Sequence, residues 1–538
     1  MKKIGYAFLK EHLNLVAFEP EVPAEASAAV NSIVHKENKL LVPKGVAPDS
    51  QVPLDHVLFA LKHEGINLQI LAEALPQIDV QSIYQRVLET PGGEYVRKAA
   101  YLWEKFNKKE LEGISSNANY VDLFDDKRYV TGARTRDSKW RVVFNGIGSI
   151  DYCPTVERTG AINAAIENNV LNQTKQFIDE IGAVNADRAL AWAYLSETES
   201  SYAIEGESAS SGKAERFMTL LKHAHARQNL TEEYLCNLQN QAVSNVYDQA
   251  ASFRNEQNWL SRGGRGALAV TYVPPSPELL HKLMPAFMEM ANNAPTHTDP
   301  IVAASVTSFG FVYLHPFMDG NGRLSRFLFH QELCKSGQLE KGLLLPVSVA
   351  MKSNEEGYLH ALQSFSSPAR ELWQVEWIDG QEYDFKFKGT ESIYRYWNAT
   401  ENAEFGFAMA SRALNTHLRD EVAYLKRFDR VEKAINEKFD IRQNILHTLI
   451  NGSLDFNGNV SKNMRKRFIY QVPPDAFDYI ENVAKEALLQ PMMKSSDCTQ
   501  KFNESNSSKP AEAEKKIVQD QTEMNSNVSP KKQRRKMR

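Results

Sequence analysis

From about Ile162 to Ala369 the sequence reads as a long succession of helices, and that restricts the folds open to it. One stretch breaks the pattern. Between Trp259 and Pro275, Arg262-Gly263-Gly264-Arg265-Gly266 leads into Leu268-Ala269-Val270-Thr271-Tyr272-Val273 and two prolines, which spells a β-hairpin with a glycine-rich tip. An exposed hairpin edge can accept an extended peptide as an added strand, although an ordinary connector fits the spacing equally well.

A chain of 538 residues is too long for one hydrophobic core, and its composition is that of an ordinary globular protein, 42% hydrophobic and 24% charged. Residues 1–153 are expected to form a mixed region, with a strand-like Leu40-Leu41-Val42-Pro43. Within it, residues 54–106 are expected to be a helical module, because Val57, Leu58 and Leu61, then Leu68, Leu71 and Leu75, recur at helical spacing between the breakers Gly65 and Pro76. Residues 107–153 look like an extended connector that includes Lys139-Trp140-Arg141-Val142-Val143-Phe144. Residues 154–369 form the helical core. A further helical unit, 370–490, is expected to pack on it through Tyr394, Tyr396 and Trp397. From 491 to 538 the chain turns to Ser, Asn, Lys, Glu and Gln and ends Lys531-Lys532-Gln533-Arg534-Arg535-Lys536-Met537-Arg538, which reads as a disordered tail with a basic tip. The class is therefore mainly α.

A formal charge of −4 excludes a strongly basic nucleic-acid coat. No run of 18 apolar residues suggests a membrane span, and Met1-Lys2-Lys3 lacks the apolar segment of a signal. Cys153, Cys236, Cys334 and Cys498 are scattered without metal-ligand spacing, so they read as free thiols in a reducing compartment, with the cytoplasm as the default.

Chemistry concentrates in His315-Pro316-Phe317-Met318-Asp319-Gly320-Asn321-Gly322-Arg323-Leu324-Ser325-Arg326. The order suggests a helix ending near His315, a tight turn, and a second helix from about Gly322 whose first N–H groups form an anion site. His315 is the candidate general base. Asp319, an anion at the mouth of an anion site, is understandable when a cation lies between it and a phosphate, and Mg²⁺ suits a carboxylate plus phosphate oxygens. Gly320 and Gly322 let the backbone turn and approach an anion, and Asn321 tolerates a left-handed conformation. Arg323 opposes the dipole of its helix, and Arg326 lies one turn on along the same face, so phosphate recognition accounts for both. Leu324, Phe327, Leu328 and Gln331 set the buried face; Pro316 and Phe317 fix the turn. The Gly-Lys-Ser/Thr of a P-loop is absent from this segment.

These twelve residues resemble the Fic family signature HPFx(D/N)GNGRxxR at every fixed position. The resemblance implies a helical catalytic core that transfers AMP from ATP to a Ser, Thr or Tyr hydroxyl of a protein. His315 would then deprotonate the hydroxyl, Asp319 would hold Mg²⁺ between the α and β phosphates, Asn321, Gly322 and Arg323 would cradle the phosphates, and Arg326 would meet the γ-phosphate. The family's inhibitory pattern (S/T)xxxE(G/N) is matched by Ser201-Tyr202-Ala203-Ile204-Glu205-Gly206, which resembles the subclass whose inhibitory helix precedes the motif in the same chain. Glu205 would occupy Arg326 and leave ATP unproductively bound. The hairpin 259–273 resembles the family's target-docking flap, and the target is a hydroxyl-bearing protein or the chain itself. Asn354 to Leu362, after the motif, also resembles the family, and the flanking modules, including Tyr394-Arg395-Tyr396-Trp397, look similar to those of larger bacterial members.

Two other readings remain open on sequence. On the same fold, the chain would remove AMP from a modified protein or transfer another phosphate-containing group. In a different class, residues 54–106 or 459–467, where Ser461 caps a basic helix, would serve a DNA-binding regulator.

Overall fold

The computed structural model describes residues 2–489 apart from 37, 50, 244, 264, 265, 340, 341, 380 and 381. Cys498 and the basic-tipped tail lie outside the described residues. The chain divides into two compact units, residues 1–425 and 426–538.

At the centre of the first unit lies the helix Pro300–Leu314. Asp299 starts it by accepting from the N–H groups of Ile301 and Val302 at 2.9 and 3.2 Å, with Pro300 in the first turn, where a missing N–H costs nothing. The sequence PIVAASVTSFGFVYL is apolar all round, and all but Val312 is buried. Small side chains admit close neighbours: a Cβ on Gly310 would meet Tyr152 Oη at 2.9 Å, and one on Gly406 of the helix Thr400–Arg412 would meet Ser305 Oγ at 2.0 Å. The helix Asn321–Lys335 packs beside it, and Pro277–His297, Ala183–Ile204, Val347–Lys352 and Thr400–Arg412 complete a shell around one continuous apolar core.

The expected amphipathic face of Asn321–Lys335 is a correction. Leu324, Phe327, Leu328 and Gln331 are buried, but so are Arg323, Ser325, Arg326, Phe329 and His330, because neighbours cover this helix on every side. Its first residue is Asn321, one before the expected Gly322.

The N-terminal part carries the helices Pro53–His63, Leu68–Ala74, Val80–Glu89 and Glu94–Asn107. Leu40 to Pro43 lie in a strand, Lys39–Pro43, parallel to Ala24–Ser27. Residues 107–153 are more than a connector. Val142–Phe144 is the middle strand of a three-stranded sheet, and Trp140 and Val142 are fully buried in the core of this part.

Beyond residue 369 the helical expectation fails locally. Trp373–Asp379 and Glu382–Phe387 form an antiparallel hairpin, with Trp373, Val375 and Trp377 opposite Phe387, Phe385 and Tyr383. The hairpin backs the first one: Leu260–Ser261 pairs with Val270–Tyr272, and the Trp259 ring packs tilted against Tyr383 and Phe385, with centroids 5.4 Å apart in each case. Tyr394 and Trp397 are buried in the helical core as expected, whereas Tyr396 joins the core of the N-terminal part. The division between units thus falls at 425/426 rather than 369/370.

In the second unit lie the helices Gln443–Asp455, Lys462–Phe468 and Pro474–Leu489. Ser461 caps the basic helix by accepting from Met464 N–H at 3.3 Å. Among the described residues no helix is long and apolar enough to cross a membrane.

Candidate active site

Pro316 stops the central helix, and His315 leaves it in the left-handed region at φ 51°, ψ 59°. The side chain stays 8% exposed. His315 Nδ1 faces the carbonyl oxygen of Val312 at 3.1 Å, a contact only a ring N–H can satisfy, so the neutral ring presents Nε2 as an acceptor. Burial pushes the imidazole down to about 4; the nearby Arg254 cation adds to the fall, while the Val312 bond and Asp319 oppose it. A neutral ring with a free Nε2 can take up a proton.

The turn then hands over to the second helix. Gly320 adopts φ 85°, and Asn321 opens the helix. The Asn321 side chain braces the turn, since Oδ1 accepts from Phe317 N–H at 3.0 Å and Nδ2 donates to Phe317 O at 2.8 Å. It therefore fixes the loop beside the helix-start N–H groups that an anion would meet.

Both arginines are buried, Arg323 at 1% and Arg326 at 2% exposure. Arg323 Nη2 donates to both oxygens of Asp319 at 3.3 and 3.2 Å, and Nη1 donates to Ala242 O at 3.2 Å and reaches Glu207 at 3.5 Å. Its Nε lies 3.1 Å from Glu205 Oε2 without hydrogen-bond alignment. Arg326 Nε donates to Ser201 Oγ at 2.8 Å, and Nη2 donates to Ser201 O at 2.7 Å and Glu205 Oε1 at 2.9 Å. Gly322 makes this approach possible: a Cβ there would lie 2.1 Å from Glu205 Oε1. Asp319 keeps a side chain 46% exposed at the rim. Among the described residues no cluster of three or more His, Cys, Asp or Glu groups is arranged to hold a metal unaided. A carboxylate that needs substrate phosphates to complete the shell fits Mg²⁺.

Glu205 is aimed by the end of its helix. Ala183–Ile204 closes with Gly206 N–H donating to Ala203 O at 3.1 Å and Glu207 N–H to Tyr202 O at 3.1 Å, and Gly206 sits at φ 74°. That is a Schellman closure, and its left-handed position favours glycine or asparagine. The physical content of the (G/N) position is thus the helix stop that directs the preceding glutamate into the site.

The structure brings together all the expected residues: His315, Asp319, Gly320, Asn321, Gly322, Arg323 and Arg326 with Ser201, Glu205 and Gly206. It adds others. One turn before Ser201, the buried Glu197 accepts from Ser348 N–H at 2.7 Å and lies 2.6 Å from His330 Nε2, with Ser348 Oγ also bonded to it. Lys352 Nζ donates to Ala203 O at 3.1 Å. Arg254, 4% exposed, holds the His315 carbonyl through Nε at 2.8 Å. A buried Glu or Arg has no local signature, so spacing gave no means of finding these.

Residues 229–333 match the Fic/DOC family. A stretch of 67 residues is 42% identical to a "Protein adenylyltransferase Fic" of Nematostella vectensis, over 12% of this chain and 16% of that protein. Over 93 residues identity is 33% to the protein of the same name from Drosophila yakuba and 32% to that from Drosophila melanogaster, 17% of this chain in each case. The chain thus spans 16% to 18% of the length of these relatives. Among solved structures, a Fic domain containing signaling protein from Bacteroides thetaiotaomicron aligns over 47% of this chain and 96% of its own, with a TM-score of 0.35 and 18% identity. A Fic family protein from Desulfovibrio desulfuricans aligns over 62% and 92%, with a TM-score of 0.35 and 16% identity.

Proposed function

The chain carries a Fic/DOC-family domain over residues 229–333, and from that premise we propose that it is a self-inhibited protein adenylyltransferase. The observation that carries the proposal is Glu205 lying between Arg323 and Arg326 at the start of a helix whose N-terminus faces a neutral histidine. In the proposed reaction, His315 Nε2 takes the proton of a target hydroxyl. The hydroxyl oxygen attacks the α-phosphorus of ATP, forming one P–O bond while the bond to the β-phosphate breaks, and pyrophosphate leaves. Arg323 and Arg326 bind the phosphates, the helix start supplies N–H donors, and Asp319 would hold Mg²⁺, which supplies charge neutralisation when bound.

Inhibition follows from competition. Arg326 cannot give the same donors to Glu205 and to a γ-phosphate, so ATP binds in a pose unsuited to in-line attack while Glu205 is seated. The target is a hydroxyl-bearing protein, or the chain itself, docking as an added strand on the hairpin 259–273. Support comes from Leu260–Ser261, a short edge strand whose sheet, among the described strands, has only Val270–Tyr272 as its second member. A cytoplasmic setting belongs to the same proposal; three buried free thiols accord with it. The test is mass spectrometry of the purified Glu205→Gly protein and lysate proteins exposed to it with ATP and Mg²⁺. The expected product is AMP on Ser, Thr or Tyr, absent with Glu205→Gly/His315→Ala.

A second reading, removal of AMP, is favoured by one feature: a quarter of the Glu205 side chain remains exposed, so its carboxylate can hold a water. Release of AMP from a modified protein, abolished by Glu205→Gly, would select it. The DNA-binding reading rests on Lys462–Phe468, but Arg465 there is engaged by Asp478 at 2.8 Å and Glu481 at 2.7 Å, which reduces the basic face. Salt-sensitive duplex binding lost on neutralising Lys462, Lys466 and Arg467 would support it.

A further inference from the structure

The segment 254–258 makes an unusual set of bonds between two regions that the proposed chemistry treats separately. Arg254 Nε donates to His315 O at 2.8 Å, and its backbone N–H donates to Pro316 O at 2.8 Å. The same guanidinium donates through Nη2 to Pro275 O and through Nη1 to Glu256 O at 3.0 Å. Gln257 Nε2 reaches Pro274 O at 3.0 Å, and Asn258 Nδ2 reaches Phe317 O and Met318 O at 3.3 and 3.2 Å. One side of this bracket is the turn that carries His315. The other is the base of the hairpin, whose strand residue Tyr272 also donates its hydroxyl to Tyr313 O at 2.6 Å.

Among the described residues the acceptors of the Arg254 guanidinium are all main-chain carbonyls, and its burial makes it costly to keep without such partners. A fork with fixed donor directions suits two carbonyls on different segments, which a lysine ammonium cannot reproduce. We infer that Arg254 is a positioning residue that joins the His315 backbone to the base of the hairpin, so that the strand offered to a target and the imidazole that receives its proton move as one body. Asn258 is its second, more exposed member. This rests on the adenylyltransferase reading for its catalytic consequence, but the mechanical link does not.

The test uses the full chain in the Glu205→Gly background, with α-labelled ATP, Mg²⁺ and the protein's own side chains as acceptor. Arg254→Met is expected to slow labelling at saturating ATP about 30-fold and Asn258→Ala about fivefold, with ATP affinity within about twofold, since small misplacement of a reacting group is costly. Arg254→Lys, which keeps the charge and loses the fork, is expected to restore only a minor part. Hydrogen–deuterium exchange supplies a readout independent of turnover: both variants should speed exchange in 270–275 and 313–318 together. Rates within about twofold of the background for both variants would overturn the catalytic part, as would a loss matched by weaker ATP binding. Faster exchange in only one of the two segments would overturn the link. If Arg254→Met does not fold, Asn258→Ala decides both points. If Glu205→Gly itself labels nothing while the exchange result holds, the adenylyltransferase reading fails and the link stands.

Discussion

Removing the Glu205 charge should raise the transfer rate by about two orders of magnitude. The carboxylate makes a 2.9 Å hydrogen bond to Arg326 and a 3.1 Å ion contact to Arg323, whose guanidiniums are almost fully buried. A hydrogen bond involving a charged group nets about 1.5–3 kcal/mol. Glu205 itself is 25% exposed, so solvent screens part of each contact, and together they are taken as about 3 kcal/mol. At about 1.4 kcal/mol per factor of ten, the seat is vacated roughly 1% of the time. Glu205→Gly should therefore give about 100-fold faster incorporation of α-labelled AMP at fixed ATP, and Glu205→Gln most of that gain, because it keeps the shape and loses the charge. The fold should weaken by up to the same amount, about 3 kcal/mol, since two buried guanidiniums lose a carboxylate partner, so the variants should melt below the parent without ATP. ATP should then raise the melting temperature more in the variants than in the parent. A Glu205→Gly rate within about threefold of the parent would refute the reasoning, as would Glu205→Gln remaining fully inhibited.

The other predictions concern the base and the seating of the helix. His315→Ala in the Glu205→Gly background should lower labelling by at least about 100-fold, the usual span of a general base. With the imidazole pushed down to about 4, the acid limb of the kcat/KM profile should fall near pH 4 and the rate should stay flat through neutrality. The same group binds its proton more tightly when unfolded, so its contribution to stability is present above pH 6.5 and lost as pH falls to about 4, which acid titration of the melting temperature checks. Gly206→Ala must place a Cβ at φ 74°, costing about 1 kcal/mol and loosening the last turn; basal labelling should rise a few-fold. Glu197→Ala leaves His330 and the Ser348 N–H without their buried acceptor and should destabilise the first unit by about 3 kcal/mol, read from denaturant midpoints.

Sequence singled out the residues that the fold gathers at the site better than the ones that hold them in place. The turn and the helix from Asn321 follow from Pro316, Gly320 and Gly322, whose backbone requirements are local. The bracing role of Asn321 was not legible, because the partners of its amide lie on the Phe317 backbone and only the folded turn brings them together. Periodicity also misled at Asn321–Lys335, where burial on every side leaves no apolar stripe to read. The second hairpin did leave a mark: Val375 and Trp377, then Tyr383, Phe385 and Phe387, alternate around Asp379-Gly380 in the two-residue rhythm of a strand. It was lost beside the neighbouring helices. Arg254 and Glu197 left none, since a charge gives no hint of burial until its distant partners close over it.

Glu197 sets a timescale as well as a position. It fastens the helix to His330 and Ser348 two turns before the Gly206 stop, and Arg326 and Lys352 hold Ser201 and Ala203, so opening the site needs no more than movement of the Glu205 side chain and the last residues of the turn. Side-chain rotation and end fraying run in nanoseconds to microseconds, far faster than detachment of a packed helix. On such a clock the site would be sampled open many times within the dwell of one nucleotide. If Glu205 represses as proposed, it would set a low, steady leak proportional to open-state occupancy, and anything that shifts the fraying of one helical turn would become a dial on output rather than a latch.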